Sequence, residues 1–187
     1  MKTIAFVTTN KSKIDEVNEV LKEYGFVAVQ QEGEKKEDKD ANMQSIAKDA
    51  AKELSQELNI PVIVEDTGLF FSAYNNFPGA QSKFVFNGIG YEGILRLLEG
   101  KDRAAYFETV IAYCEPNKEP VSFDGKMEGT ISEKVSNPQE AYMPYDSLFV
   151  PNGEEKPICQ MTIQKKSSLS QRSVATKKLG EFLKNNN

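Results

Sequence analysis

Hydrophobic and polar positions divide the chain into alternating short strands and helices. The first apolar run covers residues 2–8 and stops at Thr8-Thr9-Asn10. Ile14, Val17, Val20, Leu21 and Tyr24 then recur at helical spacing, and Gly25 supplies a stop. A short strand is expected at 26–29, followed by a charged, aperiodic loop over 30–42. Met43, Ile46, Ala47, Ala50, Ala51, Leu54 and Leu58 mark one side of a second amphipathic helix. The run 61–64 reads as a buried strand that ends at Glu65-Asp66-Thr67-Gly68. After a loop around Phe77-Pro78-Gly79, a helix is expected at 91–98. Two long strands at 104–113 and 119–131 follow, turning through Pro116-Asn117, and a short strand at 147–150. A closing helix spans 168–183. Alternating strands and helices at the start, with paired strands in the middle, predict an α/β fold with a mixed sheet.

Composition narrows the chemistry. The chain has 187 residues, 39% hydrophobic and 27% charged, enough for one domain or two closely packed lobes. No apolar run approaches the ~20 residues needed to span a bilayer, and no secretory signal is recognisable, so a soluble intracellular protein is expected. Cys114 and Cys159 have no metal-ligand spacing and are expected to be free thiols. There is no histidine, which excludes Ser-His-Asp and Cys-His catalysis and histidine-ligated zinc. Acid–base and metal chemistry must rest on carboxylates, lysines, tyrosines or water. A net charge of −5 gives no global basic field for a nucleic-acid polymer, although a local lysine cluster suffices for a small anion.

Four segments carry candidate chemistry. Thr8-Thr9-Asn10-Lys11-Ser12-Lys13 leads a strand into a helix N-terminus, where backbone N–H groups and the dipole favour an anion. Its plainer reading is a helix capped by Thr9 or Asn10 with solvated lysines. Lysines in a first turn oppose the dipole, however, unless an anion neutralises them. No P-loop pattern occurs. Glu65-Asp66-Thr67-Gly68-Leu69 places two hard oxygen donors, suited to magnesium, after an apolar strand. Asp-Thr-Gly is also ordinary turn chemistry. The acidic loop 32–38 offers a further metal ligand or simply a solvated surface. Lys165-Lys166-Ser167-Ser168-Leu169-Ser170-Gln171-Arg172 is a basic, hydroxyl-rich helix entrance, either solvated and capped by serine or suited to a second anion or a base edge.

Together these segments resemble the inosine triphosphate pyrophosphatase, or Ham1-like, family. The likeness runs in order through Thr8-Thr9-Asn10-Lys11-Ser12-Lys13 with Glu16, Ile46-Ala47-Lys48, Glu65-Asp66-Thr67-Gly68-Leu69 and Phe77-Pro78-Gly79-Ala80-Gln81-Ser82. It continues through Glu92-Gly93-Ile94-Leu95, Ala105-Tyr106-Phe107, Phe123-x-Gly125, Gly129-x-Ile131, Tyr145-Asp146 and Met161-Thr162. The resemblance implies a single domain over 1–187: a long mixed sheet flanked by helices, in two lobes with the active-site cleft between them. It implies magnesium-dependent hydrolysis of non-standard purine triphosphates such as ITP, dITP and XTP to the monophosphate and pyrophosphate, a house-cleaning role. It further implies a homodimer in the cytoplasm, with no membrane or nucleic-acid partner.

Carried over by residue, Thr8, Thr9, Asn10 and Lys13 would hold the triphosphate with Lys48, and Thr67 would touch substrate. Asp66 would be the catalytic acid and magnesium ligand, with Glu65 beside it and Glu37 as the loop ligand. Tyr145, Asp146, Lys166, Gln171 and Arg172 would form the base end. That end departs from the family pattern. Tyr142-Met143-Pro144-Tyr145-Asp146-Ser147 lacks both family glycines, and Gln171 stands where the family has histidine. Altered base specificity is therefore one alternative, and a nucleotide binder without turnover is another.

Overall fold

The computed structural model describes residues 1–33, 42–137 and 143–186. Seven strands form one sheet: β1 (Lys2–Val7), β2 (Phe26–Gln31), β3 (Val62–Phe71), β4 (Pro78–Gly79), β5 (Ala104–Cys114), β6 (Val121–Ile131) and β7 (Phe149–Pro151). Their order is β2-β1-β3-β5-β6-β7, with β4 beside β3. β1 is parallel to both β2 and β3, whereas the β3–β4 and β6–β7 pairs are antiparallel. The sheet is therefore mixed, as expected. The helices are α1 (Lys11–Leu21), α2 (Met43–Leu58), α3 (Ser82–Leu97), α4 (Ile163–Leu169) and α5 (Gln171–Asn185).

The chain divides into two compact units. The first comprises 1–67, 109–125 and 170–187. On one side of its part of the sheet, Ile4, Phe6, Ile63 and Ile111 pack with Ile14, Val17 and Leu21 of α1 and with Ala175 and Leu179 of α5. On the other side, Val7, Val62, Val64 and Val110 pack with Ala47, Ala50, Ala51 and Leu54 of α2. Burial of these faces drives helix formation here, since short isolated helices are marginal in water. The second unit, 68–108 and 126–169, has its own core around Leu69, Phe71, Ile94, Phe107, Ile131 and Phe149.

Three sequence expectations change. β3 does not end at Glu65-Asp66 but continues to Phe71, because Leu69 and Phe71 are buried in the second core. Gly68 serves a close approach rather than a turn: a Cβ there would lie 2.8 Å from the Phe70 ring and 3.0 Å from the Gly79 backbone. α3 begins at Ser82, not near residue 91, and breaks at Gly90, whose φ is 60°. The closing helix is two helices, separated at Ser170, whose side chain caps α5 by accepting from the Ser173 N–H. No helix among the described residues is long and apolar enough to cross a membrane.

Candidate active site

The loop from β1 to α1 is fixed by its own polar side chains. Thr8 Oγ1 accepts from the Asn10 N–H at 3.1 Å, and the Thr8 carbonyl accepts from Gln30 Nε2 at 3.0 Å. Asn10 is the N-cap, its Oδ1 accepting from the Ser12 N–H at 3.0 Å, while Thr9 is exposed. Lys13 then emerges from the first turn of α1. Its position against the helix dipole is balanced by the protein itself: Lys13 Nζ lies 2.9 Å from Glu65 Oε1.

Glu65 is the hub of a buried polar cluster in the first unit. Arg172 Nε donates to Glu65 Oε2 at 2.6 Å and Arg172 Nη2 to Oε1 at 3.1 Å. A second carboxylate, Glu16, accepts from Arg172 Nη1 at 2.5 Å and from the Ser170 hydroxyl. Thr67 Oγ1 donates to Glu65 Oε1 at 2.7 Å and lies 2.7 Å from Thr109 Oγ1. Glu16, Glu65 and Arg172 are 7%, 7% and 4% exposed, so these charges are removed from water and survive there through mutual pairing. Sequence reasoning placed Lys13, Glu65, Thr67 and Arg172 in the site and allowed a serine cap at the last helix, but gave Glu16 no role and missed Thr109. The signal for Glu16 was a charge between Ile14 and Val17 on the apolar side of α1; Thr109 carried none.

Burial alone pushes the Glu65 carboxyl up. The charge and hydrogen bonds of Arg172 and Lys13 more than reverse this, holding it well below the usual carboxylate range. A folded value below the unfolded value of about 4.3 means a stabilising contribution that is complete above that pH. It is lost as pH falls from there toward the folded value. Thermal unfolding followed from about pH 6 to about pH 3 is expected to show a steeper loss of Tm in the wild type than in Glu65→Gln. Equal slopes would remove Glu65 as the source.

Asp66 faces the other way. Successive residues of a strand point to opposite faces. Ile63 lies in the core with α1 and α5, whereas Val62 and Val64 lie in the core with α2. Glu65 and Thr67 follow Ile63, and Asp66 follows Val64 onto the α2 face, where it is half-buried. Lys48, half-buried, follows Ala47 on α2. The two oxygens of Glu65 accept from Lys13, Arg172 and Thr67 on the face of β3 opposite Asp66. Among the described residues no three acidic or thiol side chains converge as a metal site. Magnesium commonly takes one or two carboxylates plus phosphate and water. The carboxylate of Asp66 is a donor of that type. Glu37 lies outside the described residues, as does Tyr142 of the base-end segment.

The remaining base-end residues are divided. In the second unit, Tyr145 is buried and donates its hydroxyl to the Ser82 carbonyl at 3.0 Å. Burial pushes its phenol well above the ordinary tyrosine value. Beside it Asp146, 4% exposed, pairs with Lys166 Nζ at 2.9 Å. In the first unit, Gln171 opens α5, and its buried Oε1 has no hydrogen-bond partner among the described residues. Gly125 permits this placement, since a Cβ there would come 2.0 Å from the Gln171 carbonyl oxygen.

The Ham1 family model matches residues 4–182. The chain is 38% identical over 184 residues to a dITP/XTP pyrophosphatase of Methanopyrus kandleri, covering 98% of this chain and 97% of that protein. It is 42% identical over 154 residues to a dITP/XTP pyrophosphatase of Methanosarcina mazei, covering 82% and 83%. A HAM1 protein from Coxiella burnetii superposes with a TM-score of 0.82 over 99% of this chain and 100% of that one, at 24% identity, a likeness of fold. With an ordered set of motifs, a mixed sheet and near full-length similarity in agreement, this chain belongs to the Ham1 family.

Proposed function

We propose that the protein hydrolyses non-standard purine nucleoside triphosphates, dITP and XTP among them, to the monophosphate and pyrophosphate. The observation that carries this is Lys13, held at the N-terminus of α1 by a buried Glu65, with the carboxylate of Asp66 on the adjacent residue of β3. Phosphoryl chemistry depends chiefly on positioning and charge neutralisation, which these groups supply without histidine. The relatives from Methanopyrus kandleri and Methanosarcina mazei bear the name of this activity.

In this proposal Asn10 and the first turn of α1 receive the phosphates, with Lys13 and Lys48 as countercharges. Asp66 would hold magnesium, with Glu37 as the loop ligand that the family resemblance implies, and would orient the attacking water. Bound magnesium would neutralise phosphate charge and lower the pKa of a coordinated water. Glu65 keeps Lys13 in place and takes no part on the metal. Arg172 organises the site from within, using three N–H donors on Glu65 and Glu16. Asp146 and Lys166 remain candidates for the base. The homodimer and the cytoplasmic location belong to the same proposal and rest on family resemblance.

The test is incubation with magnesium and ITP, dITP, XTP, GTP, ATP and UTP, with products resolved by chromatography. Monophosphate and pyrophosphate from the non-standard purines are expected, and no turnover of any nucleotide would defeat the proposal. Gln171→His enters the same panel. A buried acceptor without a partner costs about 1–3 kcal/mol, which a donor on the base edge would recover. The substitution is expected to shift the ITP:GTP ratio of kcat/KM by roughly tenfold toward ITP. Unchanged relative rates would take Gln171 out of base recognition.

A further inference from the structure

The cluster around Glu65 extends in a direction that the pyrophosphatase proposal does not use. Thr109 lies on β5, fully buried, and its Oγ1 is 2.7 Å from Thr67 Oγ1. A threonine hydroxyl has one proton to give. Thr67 gives its proton to Glu65 Oε1, since an ionised carboxylate only accepts. The bond between the two threonines therefore has one polarity: Thr109 donates and Thr67 accepts. The hydroxyl chain runs from Thr109 through Thr67 to Glu65 Oε1, the same oxygen that lies 2.9 Å from Lys13 Nζ.

We infer that Thr109 is a positioning residue for the phosphate end of the site, acting through Thr67 and Glu65 on the lysine of α1. The inference rests on the proposed pyrophosphatase reading for its biological meaning, and on the geometry alone for its physical content. Three features support it. Each hydroxyl has its proton assigned, so the chain is directional, and such chains strengthen link by link in a low-dielectric setting. Both threonines are β-branched and stiff at χ1, so the bond between them fixes the rotamer of Thr67. Finally, Glu65 Oε1 accepts from Thr67, Lys13 and Arg172 together, so loss of the Thr67 donor changes the balance of forces on Lys13 directly. The same chain changes the expected role of Thr67. Its proton is committed to Glu65, so it orders the site rather than donating to substrate.

The test separates hydroxyl from shape. Thr109→Val keeps the branched outline and removes the donor; Thr109→Ser keeps the donor and removes a methyl group. Two readouts are needed: kcat and KM for dITP with magnesium, and calorimetric affinity for inorganic pyrophosphate. Thermal unfolding checks that each variant is folded. Thr109→Val is expected to lower kcat/KM and pyrophosphate affinity by roughly fivefold to tenfold, the scale of one hydrogen bond. Thr109→Ser should recover most of both. Adding Thr109→Val to Thr67→Val should cost little more than Thr67→Val alone, because Thr109 acts only through Thr67. Wild-type behaviour of Thr109→Val, or equal losses in the valine and serine variants, would overturn the inference. If the wild type binds pyrophosphate but leaves dITP intact, the pyrophosphatase reading fails, and the affinity series still decides the role of Thr109.

Discussion

Asp66→Asn is expected to lower kcat for dITP by about 10²–10⁴-fold while leaving the fold almost untouched. The two halves of that outcome have separate causes. Asparagine keeps the size of aspartate but has no negative charge with which to hold magnesium or orient a water. Asp66 is half-buried on the α2 face, and the Arg172 guanidinium keeps its pairing with Glu65 and Glu16 when Asp66 is replaced. Its Tm should therefore stay within a few degrees of wild type, as for most substitutions away from the core. Kinetics with dITP and a thermal unfolding curve on one preparation check both halves. Retention of more than about a tenth of the wild-type rate would remove Asp66 from the chemistry.

Arg172→Met should do the reverse first. It removes the cation that, among the described residues, pairs with both carboxylates of the cluster, Glu65 and Glu16, and leaves them to Lys13 and the hydroxyls of Thr67 and Ser170. Breaking one side of a buried ion pair typically costs about 3–5 kcal/mol, because the remaining charge stays desolvated. For a chain of this length that corresponds to a fall in Tm of roughly 10 °C. Methionine preserves much of the aliphatic volume, so the loss reports charge rather than a cavity. Converting Glu65 and Glu16 to glutamine in the same chain should restore much of the stability, since neutral groups carry less desolvation cost than unpaired ions. A fall of under about 2 °C in the single variant would mean that water reaches the cluster and screens it. Activity is expected to fall as well, since Lys13 loses the geometry that Glu65 imposes.

The fold was legible where the pattern was periodic. α2 spans Met43–Leu58, the bounds of the expected apolar pattern, and buries its Ala47, Ala50, Ala51 and Leu54. α3 was read short because its first half, Ser82 to Gly90, holds two glycines and intersperses Lys83 and Asn87 among apolar residues, so no face stands out. β3 was cut short because Asp66-Thr67-Gly68 has turn chemistry, and burial of Leu69 and Phe71 overrode that local signal. At the site, residue types and order pointed to Lys13, Glu65, Thr67 and Arg172, which the structure brings together, but adjacency in sequence concealed the separation of Glu65 from Asp66. Glu65 and Asp66 read as one pair of carboxylates, whereas strand alternation gives them opposite faces. Thr109 was invisible: a threonine in a β-rich run is ordinary, and its meaning arises only when β5 brings it to Thr67.

That alternation makes the site a matter of parity as much as of chemistry. If one residue were inserted between Val62 and Glu65, the composition of the site and its net charge would be unchanged, yet every side chain after the insertion would turn over. Asp66 would swing toward Arg172 and Lys13, and Glu65 toward the α2 face, one methylene longer than the group it replaced there. A shorter carboxylate would then have to reach the guanidinium, and a longer one would overshoot the place where the water must be held. Length in this stretch of β3 is thus under a constraint that no tally of charged residues records: the two acids are interchangeable in kind and fixed in function by an odd or even count.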